Sequence, residues 1–369
     1  MVNQKRLVQT FIDLVKIDSP SGSEDKIARE MSKRLTALGG KVESDAYGNV
    51  IAKFTGVGEP LMLNAHLDTV EPGQGIKPKM IGNQQAVGFA NEITSDGSTI
   101  LGADDKAGLS VLLEALTVVK EAKGLHVPIE IILTKGEEVG LLGAKNLDYT
   151  KINAKEGVSF DGHSGVDNIT VAAPGLHRVD ATIIGRSAHA GVEPEKGISA
   201  IQIAAKIISE LQVGRIDEET TANIGLIEGG SARNAVAERA HFKGEIRSHS
   251  LDKIERQSTH FREVFKKVMS DFEEAEFKLE IVSEAGPFNV LETTPIIQKI
   301  LKICKILKIK PSLTPTGGLS DVNIFSEHGL SIVDVGVGAH ELHTTREYLD
   351  IKEFVDAANF AVKLITYNK

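Results

Sequence analysis

The feature that most constrains this 369-residue chain is an interruption in its own pattern. Up to Pro174-Gly175, apolar strand-like runs alternate with stretches of helical periodicity, and the alternation resumes beyond Gly286-Pro287. Strands separated by helices predict an α/β layer with a mixed, largely parallel sheet and flanking helices. Between the two breaks the order differs: strand His177–Ile184, helix Ile198–Leu211, strand Ala222–Ile227, strand Ala237–Ser248, helix Leu251–Asp271, strand Phe277–Ser283. That βαββαβ order is the ferredoxin-like α+β unit. Such a unit can have neighbouring ends, so it can be inserted into another domain. The chain therefore reads as a discontinuous main domain, about 1–174 plus 286–369, with an inserted lid domain at 175–285.

Within the main domain, Leu7, Phe11, Leu14 and Val15 place one apolar face on an N-terminal helix. Ser21 and Glu24 have capping-box spacing ahead of a helix carrying Ile27, Met31, Leu35 and Leu38, which stops at Gly39-Gly40. Lys41–Glu43 and Val50–Phe54 flank a hairpin turn at Tyr47-Gly48-Asn49. Leu61–His66 is a buried strand that ends in polar residues, and the Gly- and Pro-rich 71–99 stretch predicts loops with short strands over a site. A strongly apolar helix over Ala107–Val119 leads to a strand at Ile129–Thr134, a helical stretch from Glu138 to Asn146 and a short strand at Gly157–Phe160. After the insertion come a helix at Thr294–Leu307, a Gly-rich loop, a helix over 321–328, a strand at Ser331–Val335 and a final helix at Ile351–Tyr367.

Composition is that of a soluble globular protein, 41% apolar and 25% charged. A net charge of −9 with both signs interspersed argues against nucleic acid or an anionic membrane as partner. No apolar run is long enough to span a bilayer. The single cysteine, Cys304, falls in an apolar helical run, so no disulfide framework exists and a cytoplasmic home is expected.

Chemistry concentrates where predicted strands end. Asp104 and Asp105 stand at the mouth of the Ala107–Val119 helix, whose free N–H groups favour negative charge. Adjacent carboxylates repel, and a cation resolves the repulsion; an acidic N-cap has the same appearance. His66 and Asp68, two apart at a strand end, share a face, so His66 can ligate while Asp68 orients its ring. Glu137-Glu138 follows the Ile129–Thr134 strand, so one can bind a metal while the other holds a water. Taken alone, the pair is also an ordinary acidic first turn. Asp161 follows the Val-Ser-Phe strand, and His343 lies just past Gly336 and Gly338. Open α/β sheets bind ligands at the C-terminal ends of their strands. Two imidazoles with several carboxylates suit zinc, cobalt or manganese, and are numerous enough for two ions sharing one carboxylate. No Gly-x-Ser-x-Gly or phosphate-binding glycine loop offers another route.

The motifs AHLDTV (65–70), LGADDKAG (101–108), KGEEVGLLGA (135–144), SFDG (159–162), RSAHAG (186–191) and HTTREYL (343–349) span the whole chain. Together they resemble the dizinc exopeptidase family that includes aminoacylase-like and glutamate-type carboxypeptidases, and more closely its peptidase T (tripeptidase) branch. The resemblance implies two Zn2+, for which Co2+ or Mn2+ can substitute. His66, Asp104 and Asp161 would hold one ion, and Asp104, Glu138 and His343 the other. Glu137 would be the general base, Asp68 would orient His66, and a cis peptide would join Asp104 to Asp105. Substrate contacts are expected from His189 and Asn234 of the lid, from Arg247 as a carboxylate clamp, and from Gly317-Gly318, where a peptide backbone can approach. Leu319 departs from the small residue that many relatives carry, which affects pocket shape.

The resemblance further implies hydrolysis of the N-terminal peptide bond of short peptides, and a homodimer through an edge strand of the lid. A carboxypeptidase or N-acyl-amino-acid deacylase on the same centre is the alternative. A non-catalytic metal- or peptide-binding protein would have no use for Glu137.

Overall fold

The computed structural model describes residues 1–82 and 90–366, in two compact units. The first comprises Met1–Ala172, Asn289–Thr316 and Ser320–Lys369; the second comprises Ala173–Phe288 together with Gly317–Leu319.

At the centre of the first unit four parallel strands lie side by side in the order Ile129–Thr134, Leu61–His66, Glu156–His163, Ser331–His340. Antiparallel strands extend the sheet on both sides. Val50–Phe54 and Lys41–Ser44 add to one edge; Tyr348–Asp350, Ala90–Thr94 and Lys79–Gly82 add to the other. The sheet is thus mixed, with its parallel strands in the middle. Every residue of Leu61–His66 and Ile129–Thr134 is buried, which is why these strands read as continuous apolar runs rather than alternating ones.

The helix Ala103–Ala122 is buried on nearly all sides along its apolar middle, Ala107–Val119, as that run of Leu, Val and Ala requires. Its close seat on the sheet depends on Gly108, where a Cβ would meet the Phe160 carbonyl oxygen at 2.2 Å. Midway along the helix the buried Glu114 receives a bidentate pair of bonds from Arg6 at 2.6 and 2.8 Å. Arg6 sits on the helix Gln4–Val15, whose Leu7, Phe11, Leu14 and Val15 are all buried. The Asp104–Asp105 peptide is cis.

Four sequence expectations need correction. The second helix spans Asp25–Leu38, and Ser21 and Glu24 do not form a capping box. Ser21 Oγ instead donates to Asp68 Oδ2 at 2.6 Å, because a charged carboxylate is the stronger partner, and Glu24 Oε1 accepts from the Gly22 N–H. The helix expected over 138–146 is reduced to Leu142–Lys145. Gly136, Gly140 and Leu141 all have positive φ, so residues 137–141 form turns rather than a helix. The strand expected at Gly157–Phe160 runs from Glu156 to His163, which places Asp161 inside it. The strand expected at Ser331–Val335 continues to His340, its glycines allowing close neighbours: a Cβ at Gly336 would meet the carbonyl oxygens of Ser164 and Gly165. The 71–99 stretch contains the strands Lys79–Gly82 and Ala90–Thr94; its residues 83–89, and Tyr367, the expected end of the last helix, lie outside the described residues.

The second unit is a five-stranded antiparallel sheet in the order Gly214–Arg215, Thr220–Gly229, Arg239–Ser248, Gly175–Ile184, Glu276–Ala285. Numbered along the chain, its four long strands lie 2-3-1-4, the ferredoxin-like order. The Gly175–Ile184 strand alternates buried with less buried residues. Its inward Val179, Ala181 and Ile183 pack with Ile203 and Ile207 of the helix Ala200–Glu210 and with Phe261 and Phe265 of Leu251–Met269. Arg178, Asp180 and Thr182 occupy alternate positions of the strand, and the Asp180 carboxylate stands 2.7 Å from His241.

Candidate active site

The four central parallel strands all deliver acidic or imidazole groups at their C-terminal ends. His66 is the last residue of its strand, Glu137 and Glu138 follow Thr134 by three and four residues, Asp161 lies near the end of its strand, and His343 comes three residues after His340. This is where open α/β sheets place ligands. Asp104 enters the same space from the start of the Ala103–Ala122 helix, where its backbone (φ −81°, ψ 103°) is not yet helical.

Asp104 divides its carboxylate between the two histidines. Oδ1 lies 2.8 Å from His66 Nε2, and Oδ2 lies 3.1 Å from His343 Nε2. His66 Nε2 also stands 3.3 Å from Asp161 Oδ1, and His343 Nε2 stands 3.0 Å from Glu138 Oε1. The side chains thus form two groups, His66–Asp104–Asp161 and His343–Asp104–Glu138, with Asp104 common to both.

Asp105 is a neighbour of a different kind. One of its carboxylate oxygens lies within 4.8 Å of a ring nitrogen of His66 and of a carboxylate oxygen of Asp161. Both of its oxygens are already engaged, however: Oδ2 accepts from the His66 N–H and Oδ1 from the Gly108 N–H, each at 3.0 Å. It holds the His66 backbone in place.

Asp68, fully buried, is the hub behind the cluster. Oδ1 accepts from the Glu137 N–H at 2.9 Å, and Oδ2 accepts from the Glu138 N–H at 3.2 Å and from Ser21 Oγ. Its Oδ1 also faces His66 Nδ1 at 3.4 Å, an ion-pair distance, and that buried nitrogen makes no hydrogen bond.

Crowding of acids sets the electrostatics. Burial pushes Glu137 well above the ordinary carboxylate range, against the pull of His66. Burial does the same to Asp161, and to Asp105 with the Asp161 charge adding to it. Burial opposes ionisation of Asp104 too, but the His343 and His66 rings outweigh it and hold the carboxyl low. Hydrogen bonds to Asp104 and Glu138 raise His343 to about 10. Burial disfavours the His66 cation, yet the surrounding carboxylates led by Asp161 lift its pKa well above the usual imidazole value. The protein's own groups therefore demand positive charge between these carboxylates. Two imidazole nitrogens and three carboxylates at such spacing fit borderline divalent cations.

A 39% identical structure, the aminopeptidase PepT of Bacillus cereus, superposes with a TM-score of 0.90 and covers 99% of this chain and 98% of its own. The chain belongs to the peptidase T family. A tripeptidase structure from Staphylococcus aureus is 36% identical, with a TM-score of 0.93 and coverage of 99% and 98%. The Bacillus subtilis protein YqjE is 40% identical over 376 residues, 99% of each chain. Two family profiles match consecutive stretches, peptidase family M28 over 49–164 and the peptidase dimerisation domain over 171–273. In this peptidase T family member the first stretch holds His66, Asp68, Asp104, Glu137, Glu138 and Asp161; His343 lies beyond both.

The expected substrate residues lie in the second unit. His189 and Asn234 are exposed and adjacent: Ala190 N–H donates to the Asn234 carbonyl, and His189 pairs with Ala235 as an isolated bridge. Arg247 is already occupied. Its guanidinium forms a two-pronged pair with Glu245 at 2.9 and 3.1 Å and donates to the Gly317 carbonyl at 2.8 Å. A free carboxylate clamp is therefore not what this arrangement presents; Arg247 anchors the Gly317–Leu319 segment.

Sequence reasoning missed three buried acids. Asp334 accepts from the Asp161 N–H at 3.0 Å and is pushed by burial to about 7. Asp321 accepts from Thr134 Oγ1 and is pushed by burial to about 6. Glu347 accepts from three N–H groups of the 101–104 loop. A lone acid within an apolar strand, as Asp334 is in SIVDVGVG, was the available signal.

Proposed function

We propose that this protein is a dinuclear zinc aminopeptidase of tripeptidase type, removing the N-terminal residue of short peptides. The observation that carries the reading is the split Asp104 carboxylate, one oxygen toward each imidazole, with Glu137 alongside. His66, Asp104 and Asp161 would hold one ion and Asp104, Glu138 and His343 the other, with Zn2+ favoured by the nitrogen and oxygen donors and Co2+ or Mn2+ able to replace it. Bound there, the ions supply Lewis acidity to the scissile carbonyl and acidify water.

The chain's own groups do the rest. Asp68 fixes the backbone of Glu137, so its carboxylate can take a proton from the attacking water and return it to the leaving amine. Burial raises the basicity of that carboxylate, and nearby cations temper the rise. His189 is the proposed donor to the developing oxyanion, with Asn234 beside it as a substrate contact. Gly317 and Gly318 leave room for the peptide backbone. Arg247 would reach a substrate carboxylate only by exchanging its Glu245 pair.

The names of the relatives, an aminopeptidase and a tripeptidase, favour a free N-terminal amine as the recognised group. The second unit is proposed as both lid and dimerisation domain, on the dimerisation profile and on Leu226 and Ile227, which are exposed on its Thr220–Gly229 strand. No helix among the described residues is long and apolar enough to cross a membrane, and the only cysteine is a buried thiol, in keeping with a cytoplasmic location. The deciding assay compares a tripeptide with its N-acetylated form in the presence of Zn2+. Release of the first residue from the free tripeptide alone supports the proposal; preference for the blocked peptide indicates a deacylase and overturns it.

A further inference from the structure

Glu347 is only 1% exposed, although Thr345 and Arg346 just before it are on the surface. Its partners are backbone N–H groups. Oε2 accepts from Leu101 N at 2.7 Å and Gly102 N at 2.8 Å, and Oε1 accepts from Asp104 N at 3.1 Å. These three donors belong to the turn, with Gly102 at φ +71°, that aims the Asp104 carboxylate at both imidazoles. Glu347 lies on the loop that carries His343, closed by its own N–H to the Thr344 carbonyl at 3.1 Å. One buried carboxylate therefore ties together the two segments that deliver Asp104 and His343.

We propose that Glu347 is a positioning residue that sets the spacing between Asp104 Oδ2 and the His343 ring by clamping the 101–104 backbone from within the His343 loop. This rests on the two-ion reading above. Its consequence is unequal: both positions share Asp104, but the Asp104–Glu138–His343 position also takes His343 from the clamped loop, whereas the other keeps His66 and Asp161, fixed by Asp105 and Asp334. Glutamine would fit the space but offers one acceptor oxygen, and its amide would face an N–H donor. Aspartate keeps the charge and falls one methylene short.

The test is titration of chelator-treated, full-length protein with Zn2+ against a chromophoric competitor, with circular dichroism to establish folding. Wild type should take up two ions. Glu347→Gln and Glu347→Asp should bind one ion about 10–100-fold more weakly while holding the other within a few-fold. Glu341→Gln, exposed on the same loop and paired with Arg346, should match wild type. Equal weakening of both ions, or wild-type affinity for both in the two Glu347 variants, overturns the proposal. Failure of wild type itself to bind divalent ions would instead overturn the reading of the centre, whatever the variants do. Should the Gln variant not fold, the Asp variant carries the comparison.

Discussion

The Glu137 N–H donates to Asp68 Oδ1 at 2.9 Å, so the residue behind His66 also holds the proposed base. Asp68 thus couples an imidazole, two successive backbone amides and the Ser21 hydroxyl through a single carboxylate. Replacing it by Ala should leave the buried Glu137 N–H and the half-buried Glu138 N–H without their acceptor and let the 136–141 turn drift. We expect kcat/KM to fall about 10–100-fold or more, with Asn, which offers one acceptor oxygen, in between. Ser21→Ala removes one bond from the hub and should cost less than tenfold. Steady-state kinetics with metal content measured in parallel would check the ranking; an Asp68→Ala enzyme as active as wild type would contradict it.

Glu137 belongs to neither proposed ligand set, so its removal should separate proton transfer from ion binding. Glu137→Gln should retain the metal stoichiometry of wild type while hydrolysis drops by about 10²–10⁴. Metal analysis of the purified variant beside a tripeptide assay gives both numbers. Turnover at the wild-type rate would remove Glu137 from the mechanism.

The parts of this arrangement that could be read from sequence are those in which an apolar run ends abruptly in a polar one. Leu61–His66 announces both its burial and the exit of His66, and the βαββαβ order of the insertion follows from periodicity alone. Local glycines decide what could not be read. Glu137 and Glu138 looked like the first turn of a helix because their own propensity favours one, yet Gly136 and Gly140 divert the backbone into turns that place both N–H groups on Asp68. Ser21 had capping-box spacing, and its actual partner lies 47 residues away. Glu347 is similar: three bonds across more than 240 residues leave no mark on local pattern. Arg247 was legible as a charge at a strand end, but its Glu245 neighbour, two positions earlier on the same face, was the clue to its occupation.

Removal of divalent ions should be costly to stability as well as to activity. Without added positive charge, Asp104, Asp161, Glu137 and Glu138 share a confined space with two rings. Ligand linkage predicts a loss of about 3–4 kcal/mol per site when an ion that had been present at 100–1,000 times its dissociation constant is stripped away. Chelator should therefore lower the melting temperature and abolish hydrolysis, and Zn2+ should restore both. A chelated protein that melts unchanged and still hydrolyses tripeptide would exclude the dinuclear centre.

Packing behind the cluster is equally tight. A methyl group at position 108 would press on the Phe160 carbonyl at 2.2 Å and on Asp105 Oδ1 at 2.3 Å, and neither can yield without moving a strand or the acid that holds His66. Gly108→Ala should therefore destabilise by about 1–3 kcal/mol, the usual cost of overpacking, despite the better helix propensity of alanine. Denaturant unfolding would measure it, and a variant as stable as wild type would show that the helix can shift away from the sheet freely.

Acid should weaken the second unit through His177, which lies on its Gly175–Ile184 strand. Its ring is buried; Nδ1 stands 2.9 Å from Ser258 Oγ, and Nε2 stands 3.7 Å from Glu255. Burial holds its pKa below the ordinary imidazole value; the Glu255 carboxylate opposes that shift and Arg262 reinforces it. The unfolded chain therefore binds this proton first as pH falls. The stability that neutral His177 contributes is complete above about pH 6.5, the unfolded value, and is lost progressively as pH falls from there toward the lower folded value. Melting of wild type and His177→Gln between pH 8 and 5 isolates the effect. The difference between them should shift against wild type on acidification, because glutamine cannot take up the proton. A difference that stays constant across the range, or that moves in favour of wild type, would mean that His177 is not held neutral by its site.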